Sequence, residues 1–99
     1  MKLIKILEER IEDEIEDIKH YGMLAAEVKD EHPSLAHTLR TIAAQEDGHQ
    51  AMLHGEVVKL VQEYRKTHGE PPAAMMAVYD YLHKRHMEKL AEARRWLEK

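Results

Sequence analysis

The chain has 99 residues, a formal net charge of −4 and no cysteine. This length predicts a single domain, residues 1–99, whose modest core would benefit from oligomerisation or a bound metal ion. The absence of cysteine excludes disulfides, zinc fingers and thiolate-bound iron centres from the chain. The acidic balance argues against nucleic acid as the main partner. Acidic side chains, expected to form an exposed face, are concentrated at Glu8, Glu9, Glu12, Asp13, Glu16 and Asp17.

Proline and glycine break the helical pattern at two places. Pro33 follows a polar stretch, and Gly69 stands shortly before Pro71 and Pro72. Proline lacks an amide donor and restricts the residue before it, whereas glycine suits a helix C-terminus. No segment shows the alternation of a strand, so we predict an all-α fold. Its three helices span roughly residues 2–30, 33–67 and 72–98.

The predicted helices are long for a domain of this size. A helix of about 30 residues is roughly 45 Å long, so the first two are expected to form an elongated antiparallel hairpin with the third beside it. No apolar run approaches the roughly 18 residues that are needed to cross a bilayer. The N-terminal residues also lack the apolar core of a signal peptide. We therefore expect a soluble cytoplasmic protein that does not bind membranes.

The first helix carries an apolar stripe with one acidic exception. The stripe consists of Ile4, Leu7, Ile11, Ile18, Ala25 and Val28. Glu14 falls in its middle, and Tyr21 lies two turns later on the same face. A carboxylate that is buried without a partner costs several kcal/mol. The inward Glu14 therefore predicts a positive group beside it, which is either a side chain such as Arg40 or Lys19 or a metal ion.

The second helix repeats this exception with two residues. Its stripe consists of Leu35, Leu39, Ile42, Leu53, Val57, Leu60 and Tyr64. Glu46 and His49 occupy the two missing places and are predicted to point inward. A Glu-x-x-His pair alone is common on solvated helices, but together with Glu14 it forms half the ligand set of a carboxylate-bridged dinuclear metal site. A two-fold dimer would complete that set, because four carboxylates balance two divalent ions.

The third helix has no inward acid of this kind. Its stripe consists of Met75, Tyr79, Leu82, Leu90, Ala93 and Leu97. His86 lies inside this stripe and His83 beside it, so each is either a core histidine or an additional nitrogen ligand. Asp17, at the edge of the first stripe, is either a solvated acid or a residue that guides ions to the site. The remaining histidines are expected at the surface or in loops: His20, His32, His37, His54 and His68.

These residues resemble a known family. Glu14, Tyr21 seven residues later, the His32-Pro33 loop and the segment Ala43-Ala44-Gln45-Glu46-Asp47-Gly48-His49-Gln50-Ala51 resemble the first helix pair of rubrerythrin and of the wider ferritin-like superfamily. The resemblance covers about half of the chain. It implies a di-iron centre bound by Glu14, Glu46 and His49, with Glu46 bridging the metal ions. It also implies that Tyr21 lies near a reaction with dioxygen or hydrogen peroxide.

The chain also departs from the family pattern. A full rubrerythrin has four helices in one chain and usually a cysteine-rich domain, so here the half-bundle is expected to double, as in the similar encapsulated ferritins. The resemblance then implies a homodimer or larger assembly with two iron (Fe) ions per dimer, zinc or manganese being the alternatives. The implied activity is a ferroxidase or a peroxide- or oxygen-reducing enzyme that uses an external electron donor. The other hypotheses are a non-catalytic metal-binding or storage module and a structural helical adaptor.

Overall fold

The computed structural model describes residues 2–99 as three helices joined by short connections. The helices are α1 (Lys2–Val28), α2 (Pro33–His68) and α3 (Ala73–Leu97). No strand occurs among the described residues. The predicted all-α fold is therefore confirmed, and every predicted boundary lies within two residues of the observed one.

The two interruptions between the helices are explained by the backbone properties of proline and glycine. Pro33 occupies the start of α2, where its missing amide hydrogen is tolerated. At the other end Gly69 has a φ of 78°, and its amide donates to the carbonyl of Arg65 at 3.0 Å. A positive φ suits glycine because it has no β-carbon. Pro72 then precedes α3, and its carbonyl accepts the amide of Met76 at 3.1 Å.

The helices form an elongated bundle of 56 × 18 × 17 Å. Glu8 contacts His86 and Lys19 contacts Glu92, so α1 and α3 run parallel. α1 and α2 run antiparallel, as predicted for the first hairpin. Within residues 2–99, none of the three helices combines the length and the apolar character that spanning a bilayer requires.

The core stripe of α1 differs from the predicted one. Its buried members follow alternating steps of three and four residues, the spacing of side chains that interlock between packed helices. They are Ile4, Glu8, Ile11, Ile15, Ile18, Gly22 and Ala25. Glu8, which was expected on an exposed acidic face, is only 4% exposed. The predicted continuation through Leu7 and Glu14 lies beside this stripe and is half-buried.

Other members of the acidic run bind α3 instead of forming a free surface. Lys89 donates to Glu12 at 2.6 Å and to Glu16 at 3.3 Å. Arg85 also donates to Glu12, at 3.3 Å. The hydrogen bond from Lys89 is the main cause that lowers the pKa of Glu12. These pairs align α3 along one edge of α1 and leave the other edge facing α2.

Candidate metal centre

Three predicted ligand residues meet in the groove between α1 and α2. One ligand atom from each of Glu14, Glu46 and His49 lies within 4.8 Å of the other two. Nδ1 of His49 is 3.7 Å from Oε2 of Glu14 and 3.6 Å from Oε1 of Glu46. The fold therefore brings together a carboxylate from one helix and a Glu-x-x-His pair from the next.

The three side chains differ in their exposure. The side chain of Glu46 is 19% exposed and that of Glu14 is 26% exposed, but that of His49 is 56% exposed. The expectation that His49 points inward is thus wrong. Glu46 lies on the core repeat of α2, four residues before the buried Gln50, whereas His49 is one position off that repeat. The two carboxylates form the floor of an open groove, and the imidazole stands at its rim.

Carboxylate repulsion dominates the electrostatics of the groove. The pKa of Glu46 is raised, first by its hydrogen-bonding contact with the Glu14 carboxyl group and then by partial burial and the charge of Glu14. The pKa of Asp17 is raised by its partial removal from water and by the charge of Glu46. Oε2 of Glu14 is buried and has no hydrogen-bond partner. Acids held this close favour protonation or a bound cation.

This donor set fits a divalent transition metal. Two carboxylates and one imidazole suit iron, manganese or zinc, and three residues leave coordination positions for groups from elsewhere. Neither Arg40 nor Lys19, the two side-chain cations expected as alternatives, forms an ion pair with Glu14 or Glu46. Lys19 pairs with Glu92 of α3 at 3.1 Å. Among the described residues, His49 is the ion-pair partner of both Glu14 and Glu46.

Asp47, the residue after Glu46 in α2, is held by hydrogen bonds on the side of the helix that faces α3. Nε of Arg94 donates to Oδ2 of Asp47 at 2.7 Å, and Nη2 donates to Oδ1 at 2.9 Å. The buried Gln50 donates to the same Oδ1 at 2.9 Å. The hydrogen bonds from Arg94 are the main reason that the pKa of Asp47 is lowered. This clamp, which sequence patterns did not reveal, ties the residue after Glu46 to α3.

Tyr21 lies where its spacing predicted, two turns from Glu14 on the same edge of α1. It is half-buried and packs against the main hydrophobic core, which all three helices form, and against a smaller buried cluster of Ala25, Ala36 and Leu39. A participation of its phenol at the metal centre remains a prediction.

The histidines of α3 lie apart from the Glu14 group. His86 is 2% exposed, and its Nδ1 is 3.0 Å from Oε2 of Glu8. His83 stacks on His54 with ring centroids 4.6 Å apart. His54 was expected at the surface but is half-buried, and burial is the main cause that lowers its pKa. The buried Glu8–His86 pair was missed, although Glu8 obeys the three-and-four spacing of α1.

A comparison with protein families places this geometry in context. The family model described as Rubrerythrin matches residues 5–99. The chain belongs to the rubrerythrin family. The match includes all three helices and so extends well beyond the first helix pair, on which the resemblance was based. For a rubrerythrin-family chain, a carboxylate-bound metal centre is the expected use of Glu14, Glu46 and His49. No curated protein and no solved structure shows significant similarity to the chain.

Proposed function

We propose that two copies of this chain pair across the groove and hold two iron ions between them, and that this centre oxidises Fe(II) with dioxygen or hydrogen peroxide. The convergence of Glu14, Glu46 and His49 on one face carries the proposal. One chain supplies two carboxylates and one imidazole, which is half of a dinuclear ligand set. Two chains supply four carboxylate charges, which balance two divalent ions.

Exposed apolar side chains around the groove support a second copy as the partner. Leu24, one turn beyond Tyr21, is 42% exposed. Leu35, two seven-residue steps before His49, is 46% exposed, and Met52, one turn after His49, is 71% exposed. Apolar groups on both sides of a polar centre are typical of a surface that another protein covers. A two-fold axis through the groove would cover them with the same residues of the second chain.

The side chains have distinct roles in this reaction. Two Fe(II) ions supply the two electrons that, with two protons, reduce one hydrogen peroxide to two water molecules; four Fe(II) ions and four protons do the same for one dioxygen. The Glu14 and Glu46 carboxylates would bind the metal as hard oxygen donors, which hold both ferrous and ferric iron. His49 would bind the metal through a ring nitrogen. Tyr21, two turns from Glu14 on the same helix, would orient a ligand carboxylate through its hydroxyl group.

Return to the ferrous state needs electrons from outside this chain. Cysteine, the usual ligand of an iron–sulfur or rubredoxin-type electron carrier, is absent from the sequence. We therefore propose an external electron donor.

Anaerobic titration with Fe(II), followed by oxygen or peroxide, tests the proposal. We expect about one Fe(II) bound per chain and then a rapid rise in near-ultraviolet absorbance as the iron is oxidised. Glu46→Gln should abolish the binding of Fe(II) and the rise in absorbance. Glu63→Gln, at an exposed position on the same helix, should leave the binding and the absorbance change as they are in the natural chain. Binding without oxidation faster than in buffer would favour a storage module. Absence of binding would contradict the metal centre itself.

A further inference from the structure

A second concave site lies on the other edge of α1. It is a cavity of about 340 Å³, within the range of small-molecule sites. Lys5, in its wall, lies seven residues before Glu12, which pairs with Lys89 of α3. The cavity is therefore on the α3 side of α1, whereas Glu14 is on the α2 side. It is separate from the candidate metal centre.

The wall of this cavity is mainly apolar. Ile4, Val61, Met76 and Leu82 contribute to it from all three helices. Lys5 is exposed and stands at the rim. A concave, mainly apolar surface of this kind favours the burial of a compact apolar molecule.

Glu8 is the one acidic residue in the wall, and it is buried with an incomplete set of hydrogen bonds. Its Oε2 lies 3.0 Å from Nδ1 of His86, and the two side chains are 4% and 3% exposed. Oε1 of Glu8 is out of contact with water and has no hydrogen-bond partner. A buried acceptor without a donor is destabilising, so a donor that reaches it gains more than it would at the surface.

We propose that this cavity binds a small, neutral, apolar molecule with one hydroxyl group, an alcohol or a phenol, whose O–H donates to Oε1 of Glu8. Oε1 is a carboxyl oxygen that no donor reaches, so the ligand must donate the hydrogen bond. A cationic amine would bring a charge out of water and into a mainly apolar wall. An anion would meet the carboxyl group directly. A neutral hydroxyl avoids both costs.

Access to Oε1 requires the wall beside Glu8 to adjust. Met75 and Met76 both line the cavity. Methionine is unbranched and flexible, so the Met76 side chain is able to adjust when a hydroxyl group binds. The terminal methyl groups of both methionines are also convenient reporters, because they lie at the site itself.

Binding of 4-propylphenol to the purified full chain tests this inference, with 4-propylanisole as the matched probe that lacks the hydroxyl hydrogen. Methyl NMR spectra should show shifts of Met75 and Met76 that saturate with the phenol. The methyl group of Met52, 71% exposed on α2, should not move. The phenol should bind about tenfold more tightly than the anisole, as expected for one hydrogen bond to a buried acceptor.

Two variants sharpen the test. Glu8→Leu/His86→Leu removes the acceptor and should bring the two affinities to within about twofold of each other, without loss of apolar binding. Leu82→Phe should fill the cavity and weaken both probes. Equal affinities in the natural chain, or shifts that include Met52, would overturn the proposal. So would methyl shifts that depend on protein concentration alone, because the occupant would then be a second copy of the chain.

Discussion

Nδ1 of His86 lies 3.0 Å from Oε2 of Glu8, and neither side chain is more than 4% exposed. This pair joins α1 to α3 inside the bundle. His86→Leu leaves the Glu8 carboxyl group buried without its partner. We expect it to lower the free energy of unfolding by about 3–5 kcal/mol, measured by urea denaturation.

The double variant Glu8→Leu/His86→Leu provides the control for that loss. Well-packed apolar residues often replace a buried pair without loss of stability, so the double variant should recover most of the free energy. If it is as unstable as His86→Leu alone, the leucine at position 86 does not fit the core, and the loss does not report on the pair.

Glu46→Gln is expected to stabilise the metal-free protein. The pKa of Glu46 is raised in the folded state, chiefly by its contact with Glu14, so the ionised form opposes folding. The gain should be on the order of 1 kcal/mol, which raises the melting temperature by roughly 4–8 °C for a domain of this size. Thermal melts in the presence of a chelator measure it, with Glu63→Gln as the control.

The pH dependence of that gain follows from the sign of the shift. For a carboxyl group with a raised folded pKa, the destabilisation is present above the folded pKa and disappears as the pH falls below the unfolded value of about 4.3. The difference between Glu46→Gln and the natural chain should therefore be largest near neutral pH. A variant that is less stable than the natural chain under these conditions would contradict an unfavourable contact between Glu46 and Glu14.

The Asp47–Arg94 clamp should show the opposite pH dependence. The pKa of Asp47 is lowered, mainly by hydrogen bonds from Arg94, so its contribution is present above the unfolded pKa and is lost as the pH falls through the folded value. Arg94 is half exposed, which limits the contribution to about 1 kcal/mol or less. Asp47→Asn should lower the free energy of unfolding by this amount at pH 7 and have no effect near pH 2. An equal effect at both values would exclude an ionic origin.

Gly22 and Gly55 provide a matched pair for helix packing. A β-carbon at Gly22 would lie 2.9 Å from Cβ of Trp96 and 3.1 Å from a methyl group of Leu97, whereas at Gly55 it would meet nothing within 4 Å. Gly55→Ala should therefore stabilise the protein by roughly 0.5–1 kcal/mol through helix propensity. Gly22→Ala should destabilise it by about 1–3 kcal/mol, because α1 and α3 must separate. Thermal melts of the two variants distinguish these effects, and equal stabilisation would contradict the close approach.

The helix boundaries and the two groove glutamates could be predicted because they depend on local chemistry. Pro33 and Gly69 interrupt a helix through their own backbone properties. Glu14 and Glu46 interrupt apolar repeats whose period is fixed by the helix itself. Neither argument requires knowledge of the contacts between helices.

The burial of Glu8 could not be predicted in this way, because the isoleucines of α1 fit two alternative apolar stripes. One stripe continues through Leu7 and Glu14, and the other continues through Glu8 and Ile15. The position of α3 decides which stripe becomes the core. The pairing of Glu8 with His86 depends further on the parallel alignment of α1 and α3, which no local pattern contains.

Native mass spectrometry of the protein mixed anaerobically with Fe(II) tests the central claim most directly, since it reports the number of chains and of metal ions in one particle. We expect a dimer that carries two iron ions, and no bound iron in Glu46→Gln. A monomer that binds iron, or iron binding that persists unchanged in Glu46→Gln, would contradict a metal centre shared between two copies of Glu14, Glu46 and His49.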